Sequence, residues 1–426
     1  MIVNNSAFGV QANVILRGAN VLDESGAFAG PTDVQVKDGR VAAVGKDLRG
    51  EGKDIDFTGL FVMPGVFDAH DHLTLSSLDT GANLKTPVSE WALEGAGNAR
   101  RTLEGGVTFV RDVGGADAGF RDGIAKGFVP GPRVQISINL ISQTGGHGDG
   151  FLRGSGYEMT ANHLTPDFPG RPPHVVDGVD EMRRAVRMHI RSGADWIKLA
   201  TTGGLGSDYG GPSSAQFSFE EIEMAVVEAG RHGRKVCAHA NGGEGLENAL
   251  NAGVPSIEHG RYLSEEHAKR MGKEGIFLVP TLAIWEAVVR WAKEGKMSAA
   301  QTSKILALDE HPNDTVRIAR EYGVPMAIGS DYSDREQHGN NLEEIALMRE
   351  AGLTPEEALL AATINGAKLC GVDHEYGRIA PGYIFDAVVF DDDPGDLSGW
   401  KQPGSVRGVF QGGVPVVPHK RITDAA

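Results

Sequence analysis

The sequence predicts an α/β protein, with a (β/α)8 barrel over residues 64–374 and a small sheet domain assembled from both ends, residues 1–63 and 375–426. Three observations carry this expectation. Eight strand-like runs alternate with helical stretches through the middle of the chain. The two ends share a strand-rich texture that the middle lacks. Residue types that bind metals fall at the ends of the middle's apolar runs, the rim where such barrels place their chemistry.

At 426 residues the chain is long enough for one large domain and a smaller one. Its formal charge of −16 argues against nucleic acid or an anionic membrane surface as the main partner. A small substrate stays open, because bound cations reverse a local field. Cys237 and Cys370 are the two cysteines, too few for a disulfide framework. No apolar run approaches the ~20 residues of a membrane span. The N-terminal MIVNNSAFGVQANVILRGANV has no basic stretch followed by an apolar core, so no signal peptide is read. A cytoplasmic location is expected, with an exported form whose leader has been removed left open.

The first sixty residues carry ANVILRGANVL, DVQVKDGRVAAVG and KDIDFTGLFVMPG, apolar or alternating runs broken by Gly and Asp. Small sheets are built from such pieces. The texture returns in YGRIAPGYIFDAVVFDDDP and SVRGVFQGGVPVV, which predicts one sheet shared by both ends. Between them the strand candidates are GVFDAHDH, GVTFVRDV, RVQISINLIS, DWIKLAT, KVCAHA, PSIEHG, IFLVPTL and PMAIGSD. Apolar residues at helical spacing mark VDEMRRAVRMHIRSG, SFEEIEMAVVEAGRHG and SEEHAKRMGKEG as helices. Several start at Ser or Asp and stop at Gly. From Gly145 to about Val179 the chain is rich in Gly and Pro and lacks periodicity. A loop this long in a compact domain is usually functional, and it leaves the third strand on the catalytic side, so it should line the substrate pocket. A second irregular loop, DYSDREQHGNN, follows the eighth strand.

His70 and His72 are two apart on a presumed strand, so both imidazoles face the barrel mouth. Together they suit one metal at ~2.0–2.1 Å; the alternative is a chance pair on a surface turn. Lys198 lies among Trp196, Ile197 and Leu199, and a buried ammonium must be paired, neutralised or modified. Either it forms a structural ion pair or its neutral amine adds CO₂ to give a carbamate whose two oxygens bridge two metals. His239 and His259 end consecutive strands; each alone reads as a hydrogen-bonded histidine, and together they suit a second metal. Asp331 ends PMAIGSD, either as a turn cap or as a ligand that also moves a proton. His147, in TGGHGDG, is either a solvent-exposed loop histidine or a clamp for a substrate group such as a carboxylate, approached closely because the glycines allow it. His163, His174 and His338 receive no role.

With these residues in place the chain resembles the amidohydrolase superfamily in its binuclear, lysine-carbamate form. The likeness runs through PGVFDAHDH, Lys198, His239, His259, Asp331 and the tail LTPEEALLAATINGAKLCGV…GRIAPGYIFDAVVFDDDP. TGGHGDG, the ATTGG after Lys198 and IEHG make it most similar to the prolidase-like group that includes ochratoxinase and dipeptidases. The resemblance implies a β-sandwich formed by both termini and two divalent metals, usually zinc, with Lys198 carboxylated. It implies hydrolysis of the amide bond to a C-terminal L-amino acid in N-acyl amino acids or dipeptides, ochratoxin A being a leading candidate. It also implies a homo-oligomer, up to an octamer. Under it, His70, His72 and Asp331 hold one metal, His239 and His259 the other, and Lys198 bridges them; hydroxide attacks the amide and Asp331 returns the proton to the leaving nitrogen. His147 would bind the substrate carboxylate, although the tyrosine that assists in some relatives is missing from RKVCAHA. A cyclic amide or imine hydrolase or a deaminase of the same superfamily is the alternative; Gly242 stands where many deaminases have Glu. A non-catalytic assembly protein would be expected to have lost ligands, and all six are present.

Overall fold

The computed structural model describes residues 13–77, 79–152, 154, 156–158, 170–204, 211–297, 299–309, 314–396, 400 and 404–421. Part of the expected pocket loop, residues 159–169 with His163, lies outside the described residues.

Both ends of the chain do enter one sheet. Val14–Leu22 pairs antiparallel with Phe28–Lys37, which pairs with Arg40–Gly45. On its other side Val14–Leu22 runs parallel to Lys53–Asp56 and Phe61–Pro64. Phe61–Pro64 then pairs antiparallel with Ala387–Phe390 from the far end, in the register Val388 to Met63 and Val389 to Val62. Gly408–Gln411 and Val414–Val417 complete eight strands. Side-chain alternation explains why AVVF is apolar throughout. Ala387 and Val389 join the sheet's own core with Val34, Phe57 and Phe410. Val388 and Phe390 point the other way, into the large core with Met63 and Val107. A strand covered on both faces reads as a continuous apolar run.

The middle forms two parallel sheets, of three and five strands. The first contains Val66–Asp71, Val107–Asp112 and Arg133–Ile136. The second contains Leu140–Ile141, Trp196–Ala200, Lys235–Gly242, Ser256–Tyr262 and Phe277–Val279. Two expected strands therefore differ from their sequence patterns. RVQISINLIS is broken in two because Ile138 has a φ of 70°, left-handed backbone that a strand does not hold. Its flanks still bond across the gap, Ser137 N–H to Asp112 O and Asp195 N–H to Ile136 O. PMAIGSD makes one bridge, Met326 to Leu278, and is otherwise irregular. Its backbone bonds are shared between neighbours: Ala327 N–H reaches Leu278 O, Ala69 N–H reaches Ile328 O, and Asp331 N–H reaches His70 O.

The helices follow their end signals. Ser218 caps Phe219–Arg231 in a reciprocal capping box with Glu221, and Ser264 caps Glu265–Glu274, which stops at left-handed Gly275. Val179–Arg191 instead starts after Gly178, without a side-chain cap.

Gly329 shows how tightly the sheet elements meet beneath the site. A Cβ there would collide with Val279 Cγ1 and lie 2.6 Å from the Cβ of His70. Gly329→Ala should lower unfolding free energy by roughly 1–3 kcal/mol through overpacking, read from the denaturant midpoint, and should lower metal content because His70 must shift. Unchanged stability and metal content would refute this packing argument.

Candidate metal centre

His70 and His72 stand at the end of Val66–Asp71, and the backbone bond from Asp331 N–H to His70 O brings the late aspartate beside them. Asp331 Oδ1 lies 3.4 Å from His70 Nε2 and 3.1 Å from His72 Nε2. Two donors on one tetrahedral ion with bonds of about 2.0–2.1 Å are separated by about 3.3 Å, so these spacings suit a shared metal. Among the described residues these three form a cluster whose ligand atoms all fall within 4.8 Å of one another.

His239 and His259 come from adjacent parallel strands, in a register that pairs Ala240 with His259. Their rings are 4.3 Å apart, and His259 is 5.0 Å from His70, centroid to centroid. Lys198 enters from the strand that pairs with the His239 strand. It is 3% exposed, and its Nζ has no hydrogen-bond partner. Burial lowers its pKa, toward the neutral amine that carbamate formation requires. A buried amine without a hydrogen-bond partner argues against the structural ion pair that was the alternative.

Each imidazole is oriented by a partner on its other nitrogen. Nδ1 of His72 meets Gly114 O at 2.7 Å, and Nδ1 of His259 meets Thr281 Oγ1 at 2.7 Å. Nε2 of His239 meets Gly203 O at 3.0 Å, which leaves its Nδ1 for the site. Nδ1 of His70 meets Glu258 Oε2 at 2.7 Å. Glu258 in turn accepts from Arg111 Nη2 at 2.7 Å and Ser256 Oγ at 2.6 Å. Both Glu258 and Arg111 are fully buried. Burial would raise the Glu258 pKa, but Arg111, His70 and Lys198 hold it below the ordinary carboxylate value.

Burial likewise pulls Asp331 upward, and His70 and His72 overcome it, so the carboxyl lies well below its ordinary value. Burial and the surrounding cations push His239 and His259 well down, toward the neutral imidazoles that bind metals. His147 is partly buried, unlike the solvent-exposed loop histidine that was one of its two readings, and its ring centroid lies 4.2 Å from that of His239. Its Nδ1 lies 2.6 Å from where a Cβ on Gly204 would stand, so that position must be glycine. Lys304 Nζ donates to Gly204 O at 2.9 Å, placing positive charge nearby. Burial, Lys198 and Lys304 push His147 down to about 4.

Sequence reasoning missed Glu258, Arg111 and Thr281. A charged letter inside each of FVRDV and SIEHG was the available signal for the first two. Of the unassigned histidines, His174 and His338 are buried; His338 Nε2 bonds Leu75 O at 3.0 Å, and its Nδ1 lies 3.8 Å from Oδ2 of Asp71, the residue between His70 and His72.

The amidohydrolase family model matches residues 61–416. Ochratoxinase of Aspergillus niger is 32% identical over 361 residues, covering 83% of this chain and 75% of the relative. A prolidase solved with N-methylphosphonate-L-proline is 33% identical, with a TM-score of 0.87 over 95% of this chain and 100% of that one. A Xaa-Pro dipeptidase with methionine in its active site is 29% identical, with a TM-score of 0.85 over 94% of this chain and 99% of that one. With that likeness over nearly its whole length and a metal-suited cluster at its centre, the chain belongs to the amidohydrolase family and is an enzyme that hydrolyses amide bonds.

Proposed function

We propose that this enzyme hydrolyses the amide bond to a C-terminal L-amino acid in N-acyl amino acids or dipeptides, with ochratoxin A among its candidate substrates. The observation that carries the reading is the buried Lys198 amine, without a hydrogen-bond partner, within electrostatic reach of Asp331, His239 and His259. The likeness to ochratoxinase, to a prolidase and to a dipeptidase supports the substrate class. In this reading the two parallel sheets are arcs of one (β/α)8 barrel over 64–374, and the shared sheet, formed from 1–63 and 375–426, is the expected β-sandwich. A homo-oligomer is the assembly we carry over from the resemblance.

Two divalent ions, zinc first among candidates, would be held by His70, His72 and Asp331 and by His239 and His259, with the N6-carboxylated Lys198 common to both. When bound, such ions polarise the amide carbonyl and make hydroxide available near neutral pH. The protein's own work is positioning and proton transfer. Asp331, ionised and at hydrogen-bond distance from His72, takes the proton of the attacking water and passes it to the departing nitrogen. Without that transfer the leaving group would be an amide anion, which departs poorly. His147, beside His239 and with Lys304 behind Gly204, donates to the substrate carboxylate.

The zinc-loaded enzyme should cleave members of a panel of N-acyl-L-amino acids and dipeptides, ochratoxin A included, and a response confined to cyclic amides or ureas would overturn the reading. Asp331→Asn should lower kcat by roughly 10²–10⁴-fold; near-normal turnover would remove its proton-transfer role. Lys198→Ala should lose activity and regain part of it in a short carboxylic acid that replaces the carbamate, whereas full activity without additive would exclude a carbamate. His147→Ala should raise KM about tenfold or more for substrates with a free carboxylate, by loss of a hydrogen bond to a charged group worth roughly 1.5–3 kcal/mol. An equal change for the corresponding carboxamides would place His147 elsewhere in the mechanism.

A further inference from the structure

The four imidazoles of the centre are not supported alike. His72, His239 and His259 lean on neutral groups: the Gly114 carbonyl, the Gly203 carbonyl and the Thr281 hydroxyl. His70 alone among them leans on a carboxylate, Glu258 Oε2 at 2.7 Å. That carboxylate is itself locked. Its other oxygen takes Arg111 Nη2 at 2.7 Å and Ser256 Oγ at 2.6 Å, and the whole group is shut off from water. Arg111 cannot swing away, because its Nε bonds Ala69 O at 2.6 Å, one residue before His70, and its guanidinium stacks on Trp196 at 4.6 Å.

A hydrogen bond to an ionised acceptor is roughly twice as strong as one to a neutral acceptor. It also raises the basicity of the opposite imidazole nitrogen and fixes the tautomer. Here it fixes His70 as the Nδ1–H form, with Nε2 facing Asp331. The same position already has its three ligand atoms gathered within 4.8 Å. Among the described residues, the His239 and His259 position has neither a carboxylate partner behind its imidazoles nor a carboxylate of its own at comparable distance; Asp331 Oδ2 is 3.9 Å from His259 Nδ1, the nitrogen turned to Thr281.

We infer that the two metal positions are unequal: the His70, His72 and Asp331 position fills first and empties last, and the Arg111–Glu258 pair, acting as a positioning device on His70, sets that order. This rests on the two-metal reading of the site given above. A carbamate on Lys198 would be common to both positions and so would not set their order.

The test is stepwise removal of zinc from the loaded full-length chain by graded chelator, with metal content measured by elemental analysis. The parent should lose its two ions in separate steps at least about tenfold apart in chelator. Glu258→Gln should move the later step by roughly 10–100-fold, the range for loss of a partner behind a ligand, and leave the earlier step in place. Ser256→Ala, a milder change to the same carboxylate, should move the later step alone by a few-fold, and it decides the matter if Glu258→Gln fails to fold. His259→Asn should abolish the earlier step and spare the later one. Fewer than two ions in the loaded parent would refute the two-metal reading itself. Two ions lost in one step from the parent, or the earlier step shifting along with the later one in Glu258→Gln or Ser256→Ala, would overturn the inference while leaving that reading intact.

Discussion

Glu258 is ionised, has no contact with water, and must be satisfied within the protein. Its two oxygens divide the task, one serving His70 and the other Arg111 and Ser256. Removing one member of such a pair strands a buried charge, typically at a cost of about 3–5 kcal/mol. The arrangement ties together elements distant in sequence: the Ala69–His70 strand end, the Arg111 strand, the Ser256–Glu258 strand and, through Trp196, the Lys198 strand. Hydrophobic packing alone would tolerate small slides among these strands. A fully desolvated pair whose members each hold further partners does not, because its hydrogen bonds are directional.

Backbone strain gathers at the same place. Seven non-glycine residues among those described have positive φ, and His259, Thr281 and Asp331 are three of them. Thr281 holds the His259 ring, so the candidate ligand and its support are both in left-handed backbone. Such conformations persist when surrounding contacts over-determine them, and they cluster at functional sites. Behind the His70 strand a polar layer fixes the backbone next to Asp331. Asp68 Oδ1 accepts from His70 N–H and Ser330 N–H, and Asn341 Nδ2 bonds Asp68 Oδ2 at 2.8 Å.

The metal-binding residue types were legible because their chemistry is rare in apolar runs: a lysine in DWIKLA or two histidines in DAHDH have few uses there. The alternation of strands and helices was legible for the same periodic reason. Arg111 and Glu258 stood in equally apolar runs but stayed unread. Their meaning is a pairing between strands about 145 residues apart, and residue types do not encode partner choice across a sheet. The break at Ile138 also escaped, since a β-branched residue in RVQISINLIS has every local reason to continue the strand. The irregularity of PMAIGSD follows from the close approach of Gly329 to His70 and the left-handed Asp331, both tertiary facts.

The strand Ala387–Phe390 has a consequence for how the molecule is made. It supplies the antiparallel neighbour of Phe61–Pro64, and a single residue, Gly65, separates that strand from the one carrying His70. During synthesis the His70 segment emerges more than 300 residues before the strand that anchors its root. Contacts of such sequence separation form slowly and late. The centre's first candidate ligands to leave the ribosome are therefore among the last to be fixed, and the apolar faces of Phe61–Pro64 depend on Ala387–Phe390, or on a chaperone before it arrives, for cover.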